Sequence, residues 1–206
     1  MRKLLDYESG VFQFLGKVVD CICLSLIWTL LSVPIITLGA ATTALYYSVN
    51  KSVRHGNGYA LRGFWDSFKL NFKQATLGWI GILLVFGVFT ADFYIFYQSE
   101  KYASLSVALL ILMAIVVVYA IYLFAHIARF TDKLKKALRN SFIMLYLNMH
   151  WSILLLIIFL ISILAGFFVP FAIFFVPSLS MLLISLILER VFKKYMKPAE
   201  LALEEE

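Results

Sequence analysis

Three ionisable side chains lie within or at the ends of long apolar runs, and they are the first places to look for chemistry: Asp20, Asp92 and His126. A charged carboxylate at the centre of a bilayer costs about 3 kcal/mol on insertion scales unless it is paired, neutralised or wetted, so such a residue is a candidate ion ligand, proton carrier or solute contact. Asp20 stands three residues after Lys17 on one helical face. The two read either as a boundary ion pair, with Lys17 reaching toward headgroups, or as an Asp20 site. Asp92 has Thr90 and Tyr94 beside it and no cation within helical reach. It either reaches the headgroups or lines a polar cavity. His126, next to Arg129, fits an anchor at the inner end of a span, and His55 and His150 also fall near segment ends.

Motifs of soluble catalysis are missing. Residues 10–18, GVFQFLGKV, superficially resemble a phosphate-binding loop, but the glycines stand one residue too far apart and Val18 occupies the place of the magnesium-binding hydroxyl. HExxH and G-x-S-x-G are absent, and Cys21 and Cys23, the only cysteines, form a C-x-C pair within an apolar segment. Two cysteines make neither a disulfide framework nor a zinc site, and small apolar packing is their ordinary role. The reading is a protein that is not an enzyme, with no cofactor and no metal.

The elements that must carry these residues are membrane helices. The chain has 206 residues, 63% of them hydrophobic and only 15% charged, with a mean hydropathy of +0.91. A soluble domain of this length cannot hide so much apolar surface. Residues 140–188 pass without one formally charged side chain. As a single helix they would be about 70 Å long, more than twice the hydrocarbon thickness of a bilayer, so they must fold back. Gly166, Pro170 and Pro177 mark the turn, giving spans at 149–169 and 176–193.

Earlier spans follow the same logic. Residues 11–32 form the first apolar segment; Pro34 and Gly39 can break it, and Ala40 and Ala41 begin a small-residue surface that admits close helix approach. Residues 38–50 are again uncharged but short, a tilted or re-entrant second leg. Residues 74–97 and 103–127 make a clear hairpin with a neutral loop at 98–101. Before each later hairpin lies a basic stretch of helical periodicity: Phe64, Phe68 and Phe72 with Lys69 and Lys73, then Leu134, Leu138 and Phe142 with Lys135, Lys136 and Arg139. Each is expected as an interfacial helix along the membrane surface. Their offset of about 70 residues reads equally as an internal duplication or as the usual look of a basic loop before a span.

Basic groups cluster between the apolar loops that carry Pro34, Gln98 and Pro170. That alternation predicts six membrane segments with both termini cytoplasmic; five with the N-terminus outside is the alternative. The expected fold is therefore all-α, a polytopic transmembrane helical bundle in one domain. It divides into a first hairpin (11–50), an interfacial helix plus second hairpin (63–127), an interfacial helix plus third hairpin (128–197) and an acidic tail (198–206). The opening MRKLLDYESG has no pattern of a cleavable signal, so the first span is expected to stay. The net charge of +6 fits anionic lipid headgroups, and no separate basic domain points to nucleic acid.

A likeness emerges from these residues. Residues 15–47, LGKVVDCICLSLIWTLLSVPIITLGAATTALYY, then Gly58 and Tyr59, then FWDSFKLNFKQAT, resemble the YesL-like family of bacterial integral membrane proteins, a domain of unknown function. The match is most specific at Asp20, Pro34, Gly39, Ala40, Ala41, Tyr46, Phe64, Phe68, Phe72 and Lys73; later spans match mainly in hydrophobicity and in KKALRNSF. The resemblance implies a protein of the bacterial cytoplasmic membrane, often encoded beside carbohydrate-uptake ABC importers. Two functions are carried forward: a non-catalytic accessory or assembly subunit that binds the permeases of such an importer, and an independent small-solute transporter.

Overall fold

The computed structural model describes residues 10–56, 59–98 and 103–196. The opening Met1 to Ser9, Gly58, most of the neutral loop at 98–101 and the acidic tail lie outside the described residues. Seven helices run α1 (Gly10–Ser32), α2 (Leu38–Ser48), α3 (Ala60–Tyr97), α4 (Ala103–Arg129), α5 (Leu134–Leu147), α6 (Met149–Phe168) and α7 (Val176–Tyr195), with no strand among the described residues. Short 3₁₀ turns at Ile35–Thr37 and Pro170–Phe174 and a π-helical turn at Val49–Arg54 join them.

Prolines set several of these boundaries. Pro34 disfavours helix at Val33, and the Thr37 hydroxyl donates to the carbonyls of Leu31 and Pro34, turning the chain out of α1. Pro170 opens the second 3₁₀ turn and Pro177 sits in the first turn of α7, where its missing N–H is no loss. Gly166, expected to help break the helix, lies inside α6, because one glycine costs a helix only about 1 kcal/mol.

Among the described residues four helices are long and apolar enough to cross a bilayer: Phe14–Ser32, Ala60–Tyr97, Ser104–Arg129 and Met149–Phe168. Their exteriors are as apolar as their interiors, with Leu84, Phe167 and Phe168 each more than two-thirds exposed. Such a surface suits lipid and not water. Neither remaining leg of the expected six segments meets the same standard. α2 has 11 residues, and α7 carries Glu189, Arg190, Lys193 and Lys194.

The separate interfacial helix expected over 63–75 is corrected. Those residues are the first part of α3, one unbroken helix of 38 residues and about 57 Å, continuous with the span. No glycine or proline lies between Phe64 and Ala75 to turn the chain, so the amphipathic stretch projects from the membrane part. In the second half the matching stretch is a distinct helix, α5, separated from α6 at Asn148 (φ −123°, ψ 47°). The two halves therefore differ at the point where an exact repeat would require agreement.

α2 lies at the centre, against α1, α3 and α4. Gly39, Ala40, Ala41 and Ala44 are buried along it, letting neighbouring backbones approach closely. A Cβ placed on Gly39 would stand 2.6 Å from the Trp79 Cβ and 2.9 Å from the Ala75 carbonyl oxygen. Neither atom can swing aside. Trp79 also donates its indole N–H to the Ile35 carbonyl at 2.6 Å, and Trp28 donates to the Thr42 hydroxyl at 3.2 Å. Gly39→Ala is therefore expected to destabilise the protein by about 1–3 kcal/mol. Gly78→Ala, whose Cβ would meet only side-chain ends, Leu123 Cδ2 at 3.2 Å and Leu134 Cδ1 at 3.6 Å, should cost less. Loss of folded monomer after heating in detergent, followed by gel filtration, ranks the two.

Candidate functional site

The polar heart of the molecule lies where α2, the π turn, α4 and α7 meet, and Glu189 is its centre. This carboxylate is 3% exposed. Its Oε1 accepts the Tyr46 hydroxyl at 3.0 Å and the Asn50 amide at 2.9 Å. Oε2 faces Arg129 Nε at 3.4 Å. Arg54 adds a further layer by donating to the Asn50 side-chain oxygen at 3.1 Å. Tyr46 sits in the last turn of α2, Asn50 and Arg54 on the π turn, Arg129 at the end of α4 and Glu189 late in α7, so these helix ends share one end of the bundle.

A second group adjoins it around His126. The ring is 2% exposed, lies 4.6 Å from Phe130 and 6.2 Å from Phe192 between centroids, and contacts Asp132 through Nε2 at 3.1 Å. An ionised carboxylate only accepts, so Nε2 carries the proton; Nδ1 is buried without a hydrogen-bond partner among the described residues. Asp132 also takes Lys136 Nζ at 2.7 Å, and its carbonyl accepts from the Gln74 amide at 2.8 Å. It thus ties α3, α4 and α5 together. Partial burial pushes the Asp132 carboxyl up, but the hydrogen bonds from Lys136 and His126 and the Lys136 charge outweigh that and hold it below the ordinary aspartate value. It stays ionised through the neutral range.

A third contact fixes α1. The Ser25 hydroxyl donates to Ser178 Oγ at 2.9 Å, the Ser178 N–H returns to Ser25 Oγ at 3.2 Å, and the Ser178 hydroxyl reaches the Cys21 carbonyl at 2.8 Å. The first turn of α7 is in this way capped by another helix.

The residues singled out from sequence fare differently. His126 is in a polar network, as an anchor for the loop after α4. Asp20 and Lys17 do not form an ion pair; Asp20 is partly exposed on α1 and makes no polar contact among the described residues. Asp92 likewise stands partly exposed and uncontacted near the end of α3, away from the polar centre. Phe64 is fully buried, Phe68 half-buried against it at 6.2 Å, and Phe72 exposed beyond, 5.4 Å from Phe68. Lys73 faces outward and Pro34 lies on an exposed bend.

Sequence reasoning missed the Glu189 cluster. Glu189 closes the long uncharged run and is followed at once by Arg190, so it counts as a topology marker. A lone acid at the end of an apolar helix, with Tyr46, Asn50 and Arg54 at four-residue spacing elsewhere, was the available signal.

Chemically, the Glu189 carboxylate is buried and turned toward three protein partners, away from the surface. Among the described residues no group of three His, Cys, Asp or Glu side chains could hold a metal. A cavity of about 30 Å³ between α2, α4 and α7, bordered by Thr42, Tyr46, Phe124 and Met181, is lined almost wholly by apolar atoms. Fold and site together define a helical bundle built for a membrane, its polar groups joining helix ends. Residues 21–93 match the family described as "Protein of unknown function, DUF624". This is the YesL-like family, and the match runs from Cys21 in α1 through most of α3. No curated protein and no solved structure matches the chain.

Breaking a buried charge pair from one side leaves the other charge stranded, so Glu189→Ala is expected to cost about 3 kcal/mol or more. Tyr46→Phe, which removes one of three partners, should cost about 1 kcal/mol. Asp92→Asn should stay within about 0.5 kcal/mol. The same heating and gel-filtration assay reads all three, and an Asp92→Asn loss as large as that of Glu189→Ala would contradict this ranking.

Proposed function

We propose that this protein is a non-catalytic integral membrane subunit that accompanies a carbohydrate-uptake ABC importer and helps assemble or stabilise its permeases. The observation that carries this reading is the use of the buried polar groups: Glu189, Arg129, Tyr46 and Asn50 are engaged with one another between helices. A sugar pathway or reaction centre needs polar groups facing an open volume. The cavity beside Tyr46 has room for about two waters and is lined almost wholly by apolar atoms, so that cavity offers no sugar site. The genomic neighbourhood implied by the family resemblance supplies the importer.

The test is purification from native membranes in mild detergent, followed by mass spectrometry, alongside oligosaccharide uptake by a deletion strain. Importer permeases should co-purify and uptake should fall. A protein that purifies alone while uptake persists, or that accumulates solute by itself in vesicles, overturns the reading.

The same reading places the chain in the bacterial cytoplasmic membrane with six segments and both termini inside. α2 and the π turn together rise about 25 Å, and pairing of Glu189 lowers the cost of setting α7 among the other helices. Lys51, Arg54, Arg129, Lys136 and Lys193 follow the helix ends that converge on Glu189, which supports assigning that end to the cytoplasm. In a Cys21→Ala/Cys23→Ala background, single cysteines at Ile36 and Gln98 should react with an impermeant maleimide on intact cells. A cysteine at Lys135 should react only after permeabilisation. Labelling of Lys135 from outside, or protection of Ile36, would refute this topology.

A further inference from the structure

α5 presents a face that nothing else among the described residues covers. Ala137, Ser141 and Met144 are buried against the bundle, while Lys135, Arg139, Phe142, Ile143, Tyr146 and Leu147 are exposed. The exposed stripe changes character along its length. Its first turns are cationic, and its last two are apolar, with Phe142 and Tyr146 each more than three-fifths exposed. α5 contains no acidic residue.

Lys136 is already engaged with Asp132. Lys135 and Arg139, four residues apart on the same face, have no partner among the described residues. Like charges at this spacing repel, and the acid nearest in sequence, Asp132, is taken by Lys136 and His126. Beyond Arg139 the stripe runs into the apolar exterior of α6, where Met149, Ile153 and Ile157 are exposed.

We propose that the outer face of α5 is a docking surface for an anionic phospholipid, with Lys135 and Arg139 holding the phosphate and Phe142, Ile143, Tyr146 and Leu147 lying among the acyl chains. The order of charges and apolar groups matches the passage from headgroup to hydrocarbon, and a phosphate between the two cations removes their mutual repulsion. A protein partner would be expected to present acids to the cations and an apolar surface to the rest at once, whereas a lipid supplies both in one molecule. The proposal does not depend on the importer reading.

The test titrates the full-length protein in neutral detergent with phosphatidylglycerol or phosphatidylcholine of the same acyl chains, counting bound lipid by native mass spectrometry. Wild type should favour phosphatidylglycerol by roughly tenfold. Lys135→Gln/Arg139→Gln should bring the ratio close to one, while the charge-matched Lys193→Gln/Lys194→Gln should leave it unchanged. The charge-preserving Lys135→Arg/Arg139→Lys should retain it, which separates loss of charge from loss of fold. No preference in wild type, or equal loss in both glutamine variants, overturns the proposal. So does displacement by glycerol 3-phosphate at concentrations comparable to the lipid, which would assign the site to a soluble phosphate. Loss of a co-purifying protein from the Lys135→Gln/Arg139→Gln variant with its lipid ratio intact would assign the face to a protein and also overturn it.

Discussion

A carboxylate taken out of water must find its partners within the protein, and the position of Glu189 follows from that demand. Tyr46 and Asn50 supply hydrogen bonds, and Arg129 supplies the opposing charge. Those partners belong to α2, the π turn and α4. Placing Glu189 correctly therefore joins three stretches that are far apart in sequence: α2 with its π turn, α4 and α7. Desolvation makes an incomplete arrangement costly, so the cluster discriminates between the native packing and displaced alternatives more than it adds raw stability. Asp132 plays the same part for α3, α4 and α5, and Ser178 for α1 and α7.

Away from these ties, cohesion has a different source. Between helices in lipid there is little hydrophobic drive, because hydrocarbon outside is as apolar as leucine inside. Close packing has to supply the attraction, which explains why the helix at the centre is the one with Gly39, Ala40, Ala41 and Ala44. α2 is too short and too polar at its hydroxyls to be a good membrane span by hydropathy. Its value lies in how near α3 and α4 can come to it.

Much of the architecture was legible in the sequence because lipid imposes long uncharged runs and proline marks their ends. The expected 149–169 and 74–97 segments end within a residue of α6 and of the membrane part of α3. Contacts were less legible. Tyr46 and Glu189 are 143 positions apart, and hydropathy treats a buried, partnered acid and a headgroup-facing acid alike. Asp20 and Asp92 drew attention for being charged within apolar runs, yet burial with partners, which marks Glu189, is a property of the assembled bundle. α3 shows the converse error. Amphipathic periodicity over Phe64, Phe68 and Phe72 implied a change of direction before the span, but periodicity fixes a face and only a breaker fixes a bend.

The π turn links local geometry to the polar centre. In an α-helix every fourth residue advances about 40° around the axis, so residues 46, 50 and 54 would drift apart along a spiral. A π turn has more residues per turn and carries the next fourth residue back. With α geometry through Ser48 and π geometry over Val49–Arg54, the forward and backward rotations largely cancel. Tyr46, Asn50 and Arg54 can then line one side, two reaching Glu189 directly and the third acting through Asn50. The widened turn weakens the local backbone ladder, and the buried acid is what its side chains gain in exchange. Restoring α-helical geometry over these residues would keep Asn50 and Arg54 as neighbours but carry Arg54 about 40° further round the axis from Tyr46 and Asn50, the side that faces Glu189.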